Sequence, residues 1–140
     1  MHIVRVILSI LVGLIIGSLV NMSLVMLSGH VIPPPPGADM TTAEGLKASI
    51  HLLEPKHFLF PFLAHALGTL VGAFIATKIS RSVSWVPAMT VGAFFFLGGV
   101  MSVRMIPAPT WFATTDLILA YFPFAWAGWM LAKKKSLSTV

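Results

Sequence analysis

Few residues in this chain could do chemistry, and most of them fall toward one side of it. His65 is the only histidine deep inside an apolar run. It lies eight positions beyond His57, roughly 12 Å into a membrane if the run is helical. Ionisable groups at that depth are expensive, so they count as functional candidates. Two readings of His65 stay open: a neutral imidazole hydrogen-bonded to a neighbouring helix, or a proton-sensing or ligand-binding group. His51, Glu54 and His57 form a His-x-x-Glu-x-x-His run, a spacing that can bring side chains onto one helix face. Imidazole and carboxylate together can ligate zinc or iron. Pro55 should break that run into two helices, which favours capping and interface solvation, and no metal is expected.

Asn21, with Ser18, lies in an apolar run where an amide ordinarily bonds across helices. Asp116 has two open roles. Thr114-Thr115-Asp116 resembles a helix start, which favours capping; the alternative is a pair with Arg104 across the last loop. Asn21, Glu54, His57, His65, Arg104 and Asp116 therefore define a candidate binding pocket toward one leaflet. A bis-histidine haem needs two deep histidines and only His65 is deep, so no cofactor is expected. There are no cysteines, which removes thiolate metal sites and thiol redox chemistry. Walker, dinucleotide, zincin and Gly-x-Ser-x-Gly motifs are absent, so the residues give no positive case for an enzyme.

The elements that must position these groups follow from composition. Of 140 residues, 57% are apolar and 9% charged, against roughly 25% charged in a soluble domain. A soluble fold of this size could not hide so much apolar surface, which excludes soluble enzymes, disordered chains and nucleic-acid binders. The expectation is an all-α membrane protein forming one domain over residues 1–140. It would be a four-transmembrane-helix bundle with spans at about 3–27, 55–79, 86–106 and 115–132. The first span is too long for a signal-peptide core and lacks a cleavage site, so it reads as a retained helix.

Six basic residues, Arg5, Lys78, Arg81, Lys133, Lys134 and Lys135, fall on one side. Only Lys47, Lys56 and Arg104 fall on the other. Both termini are therefore expected in the cytoplasm of a multi-pass cell-membrane protein. All four acids lie on the outer side, which sums to −1 against +6 within. Trp85, Trp111 and Trp129 sit where interfacial anchors belong, whereas Trp126 should pack.

The loop 28–54 is the only sizeable extramembrane segment. Pro33 to Pro36 favour a stiff polyproline stretch ended by Gly37 and Ala38. Thr41 and Glu44 fit a capping box, starting a short amphipathic helix with Leu46, Ile50 and Leu53 on one face. It should lie on the outer surface or cap the bundle. Small residues recur four apart: Gly13 and Gly17 in the first span, and Ala64, Gly68, Gly72 and Ala76 in the second. They read as helix-packing positions, within the chain or in a homodimer. Pro61 and Pro123 should kink their helices or occupy first turns. Phe60-Pro61-Phe62 and Phe122-Pro123-Phe124 recur at an offset of 62, which also aligns Glu54 with Asp116. That raises two tandem hairpins of one orientation, against coincidence in a chain rich in Pro and Phe.

Gly17-Ser18-x-x-Asn21-Met22, the run Ile32 to Asp39 (IPPPPGAD) and the run Pro61 to Thr69 (PFLAHALGT) resemble a group of small bacterial four-helix membrane proteins over nearly the whole chain. The resemblance implies a bacterial inner-membrane location and carries no activity or site. The small multidrug transporters differ, placing a Glu in a first helix that here has no acid. Two functional classes are expected: transport or permeation through an outward-facing polar pocket, or an accessory subunit binding a partner protein or lipid. The partners would be the bilayer and either a second copy or a larger membrane protein, with no nucleic acid.

Overall fold

In the computed structural model, residues 1–137 are described, with side chains to Lys133. The described chain is helical without strands. Helix α1 is His2–Val31, α2 Ala43–Ser49, α3 Leu59–Ser80, α4 Val86–Met105, α5 Thr110–Leu119 and α6 Phe122–Leu137. Two 3-10 turns, Ile50–Leu52 and Pro55–Phe58, join α2 to α3. Three segments, His2–Val31, Pro55–Ser80 and Val86–Met105, are long and apolar enough to cross a membrane, so the chain is a helical membrane protein.

The fourth expected span, 115–132, is not one helix. It begins earlier, behind Pro109, and breaks at Ala120 and Tyr121. Pro123 explains the break: it has no N–H to give the carbonyl of Leu119, and its ring crowds that oxygen. Pro123 thus sits in the first turn of α6. Pro61 likewise sits in the first turn of α3, behind the 3-10 turn. The two Phe-Pro-Phe phrases therefore share a local role, but their aligned acids do not. Glu54 is exposed and 3.1 Å from Lys56 Nζ, whereas Asp116 is 2% exposed.

Helix α3 is central, touching α1, α4 and α6. Its ladder Ala64, Gly68, Gly72 and Ala76 is buried inside the chain. A Cβ on Gly13 would lie 2.5 Å from the Gly72 carbonyl oxygen, and one on Gly17 2.6 Å from that of Gly68. The α1–α3 crossing therefore brings backbone against backbone, which only glycine permits. On the opposite side of α3, Ala73 packs with Ala88, Ala125 and Trp129. Trp129 and Trp126 differ from expectation. Trp129 packs and donates its indole N–H to the Val83 carbonyl at 3.3 Å, while Trp126 is 47% exposed. Of the basic tail Lys133-Lys134-Lys135, only the Lys133 side chain falls within the described residues; it sits over the Trp129 ring.

The α1–α3 connection folds over one end of the bundle. Pro35, Pro36, Gly37 and Ala38 make a turn closed by the Ala38 N–H on the Pro35 carbonyl at 3.1 Å, with Gly37 at φ +83°, a conformation that suits glycine. The cap of α2 is one residue later than expected. Thr42, not Thr41, accepts from the Gly45 N–H at 2.9 Å. Thr41 instead gives both its N–H and its hydroxyl to Asp39. Those bonds, the Thr41 hydroxyl above all, hold the Asp39 carboxyl below its ordinary range. The Asp39 N–H in turn donates to Ser49 Oγ at 2.9 Å, tying the loop to α2.

Candidate functional site

The chain places its one deep histidine against its one buried acid. Helix α3 carries His65 and α5 carries Asp116. The His65 Nδ1 lies 2.8 and 2.9 Å from the two carboxylate oxygens. An ionised carboxylate only accepts, so Nδ1–H donates and Nε2 is left as the ring's second nitrogen. Tyr121, 1% exposed in the break between α5 and α6, donates its hydroxyl to Asp116 Oδ2 at 2.9 Å. Its ring also stacks on the imidazole, with centroids 5.7 Å apart. Thr69 Oγ1 donates to the His65 carbonyl at 2.7 Å, one turn deeper in α3. His65 itself is partly open, its side chain 24% exposed.

What His65 and Asp116 open onto is a cavity of about 680 Å³. It lies among the end of α1, the α2 connection, the start of α3, the end of α4 and α5. Its walls are mostly apolar. Leu46, Ile50 and Leu53, expected on one helix face, all line it, so the short helix caps the bundle with that face inward. Phe58, Phe60 and Phe112 contribute ring surface. The polar lining is small; among the described residues Asp116 is its sole carboxylate and no Lys or Arg belongs to it. The volume lies in the range of sites for drug-sized molecules, about 300–1,000 Å³.

Of the six expected pocket residues, His57, His65 and Asp116 line this cavity; Asn21, Glu54 and Arg104 do not. Asp116 neither caps a helix nor pairs with Arg104. It lies within α5, whose N-cap is Pro109, and its oxygens are taken by His65 and Tyr121. Arg104 is exposed. Asn21 packs against α3 beside Gly68. Its amide oxygen is buried with no hydrogen-bond partner among the described residues, so the expected cross-helix bond does not form through that atom. Glu54 caps the 3-10 turn that begins at Pro55.

His57 is a tie between backbone segments. Its Nδ1 accepts the Glu54 N–H at 2.9 Å, so Nε2 carries the proton and donates to the Pro33 carbonyl at 3.1 Å. The His51-Glu54-His57 run is thus split as Pro55 implied. Among the described residues, no cluster of three or more His, Asp or Glu side chains is placed to hold a metal ion.

Two participants escaped sequence reasoning. His30 lines the cavity from the last turn of α1, its Nδ1–H donating to the Met26 carbonyl at 3.3 Å. Tyr121 is the only tyrosine in the chain, and a lone phenol five positions beyond a deep acid was the available signal. Comparison with protein-family models, curated proteins and solved structures found no match.

Proposed function

We propose that this chain is a four-crossing protein of the cell membrane, its fourth crossing made by α5 and α6, with both termini cytoplasmic. It admits a small, largely apolar molecule from the outer side to the His65–Asp116 pair as a step in permeation or transport. The observation that carries this reading is the apolar cavity of about 680 Å³ with a buried carboxylate–imidazole pair in its wall. A buried carboxylate is costly, and a tyrosine, a histidine and a break in a helix are all spent on holding it there. Topology is tested by single cysteines in this cysteine-free chain. Glu44→Cys should react with an impermeant maleimide from outside intact cells, and Val83→Cys only after permeabilisation. The reverse pattern would overturn the orientation. Occupancy is tested with the neutral apolar fluorophore Nile red, read by energy transfer from tryptophan. Ser102, which lines the cavity, becomes an obstruction in Ser102→Trp. Saturable binding should weaken at least tenfold, and unchanged binding would overturn the reading.

The accessory-subunit reading is favoured by one observation. Helix α1 buries only Ser9, Gly13 and Gly17, leaving Ile3, Ile7, Leu11, Ile15, Leu19 and Met22 as an open apolar stripe. Lipid suffices to cover it, and a protein partner there would appear as a stable, stoichiometric complex in mild detergent that Leu11→Trp disrupts.

A further inference from the structure

Resting on the cavity reading above, we propose that the molecule admitted is a lipophilic organic cation, and that His65 gives up one proton for each cation bound. The charge of the lining points this way. Among the described residues, Asp116 is the single carboxylate on the wall, and no Lys or Arg faces it. An anion would be driven against a like charge inside an apolar enclosure, where repulsion is least screened. A cation meets the carboxylate–imidazole pair and the ring faces of Phe58, Phe60 and Phe112, surfaces that attract positive charge. The rings are already gathered, with Phe58 and Phe112 centroids 4.8 Å apart.

The same geometry supplies the exchange. With His65 protonated, Nδ1–H holds Asp116 and Nε2–H is the second donor, so imidazolium and carboxylate sum to zero. When a cation enters, Nε2–H releases its proton to water. Nδ1–H keeps its bond to Asp116, and the imidazole is neutral. Carboxylate and bound cation again sum to zero, so each cation that displaces the proton leaves the pair neutral. Of the other titratable groups facing this pair, Tyr121 and His57 are held in fixed hydrogen bonds. Tyr121, from the α5–α6 break, is engaged as a donor to Asp116. His57 from the 3-10 turn is committed at both nitrogens to Glu54 and Pro33. His30 from α1 donates to Met26 at 3.3 Å. Helix α4 contributes Ser102 but no charge, and the α2 connection contributes Thr41 but no charge.

Tetraphenylphosphonium and tetraphenylborate have nearly the same shape and opposite charge, which makes them the deciding probes. Each is measured by equilibrium dialysis against the full chain in detergent, with Nile red as the neutral probe. Tetraphenylphosphonium should bind saturably, at least tenfold tighter than tetraphenylborate, and well over tenfold tighter near pH 8 than near pH 5, the span over which histidine changes charge. One proton should appear per cation bound in weakly buffered medium near pH 5, the acid end of that span, where a histidine is charged. Asp116→Asn should weaken the cation at least tenfold more than it weakens Nile red. Equal binding of the two ions, or cation binding without proton release, overturns the inference while saturable Nile red binding keeps the cavity reading. If none of the three probes binds, the cavity reading itself fails. Should Asp116→Asn not fold, proton release by the unaltered protein still decides.

Discussion

The α1–α3 crossing makes a quantitative claim about two glycines that look alike in sequence. Gly17 faces α3, where an added Cβ would lie 2.6 Å from the Gly68 carbonyl oxygen and 2.9 Å from Phe95 Cζ. Ordinary van der Waals contact begins near 3.4 Å, so the methyl is short by roughly 0.8 Å. Gly98, in the middle of α4, has nothing within 4 Å of the corresponding point. Both positions gain the same intrinsic helix propensity on Gly→Ala, about 1 kcal/mol, so the difference between the two variants isolates the contact. Overpacking of this kind costs about 1–3 kcal/mol. If the helices instead move apart, a gap of 0.5–1 Å forfeits about a quarter to a half of each atom-pair attraction along the crossing. Gly17→Ala should therefore unfold about 1–3 kcal/mol more easily than Gly98→Ala, several degrees in melting temperature for a chain of this length. The assay is thermal unfolding in detergent followed by tryptophan fluorescence. If the two variants melt together, the close crossing is refuted.

Tyr121→Phe removes one buried donor to Asp116, a hydrogen bond to a charged acceptor worth about 1.5–3 kcal/mol; a melting temperature equal to the parent's would remove Tyr121 from the site. His57→Ala frees the Pro33 carbonyl and the Glu54 N–H. Amide exchange across residues 37–42 should quicken roughly fivefold, the equivalent of about 1 kcal/mol, with global stability little changed, and protection as in the parent would show the tie to be idle. Asp39, whose carboxyl is held below its ordinary range by Thr41, contributes loop stability that is fully present above about pH 4 and lost as the pH falls through the lowered value. Asp39→Asn should therefore speed exchange of the Thr41 amide at neutral pH and make little difference in strong acid; an equal effect at both would refute the assignment.

Three apolar helices were legible because length and hydropathy alone specify them, and the small-residue ladder because its spacing is that of a helix face. The fourth segment was misread at residues whose local preference and tertiary role diverge. Thr114, Thr115 and Asp116 carry a capping signature, yet Thr115 bonds back to the Trp111 carbonyl at 2.7 Å inside α5, and Asp116 is drawn off by His65. The true start is Pro109, which flanks a helix well because its missing N–H is not needed there. Arg104 and Asn21 were placed in the pocket by depth along the chain. Depth does not say which way a residue faces on its helix, and Arg104 turns outward while Asn21 turns toward Gly68.

The link from sequence to site runs through Pro123. Asp116 and Tyr121 are five positions apart, and on one continuous helix that spacing would set them roughly 140° apart around the axis, with no route for the phenol to the carboxylate. Because Pro123 cannot complete the hydrogen bond to Leu119, α5 ends there and the chain re-enters as α6 with a new phase. Tyr121, caught in the interruption, turns its hydroxyl back to Asp116 at 2.9 Å and lays its ring along His65. Gly99 on α4 leaves the space that the Tyr121 ring and hydroxyl occupy. A helix defect and a glycine thus combine to hold one carboxylate in an apolar wall. The four acids that looked like a segregated set are thereby separated by structure into a loop cap, two exposed side chains and a single buried carboxyl group.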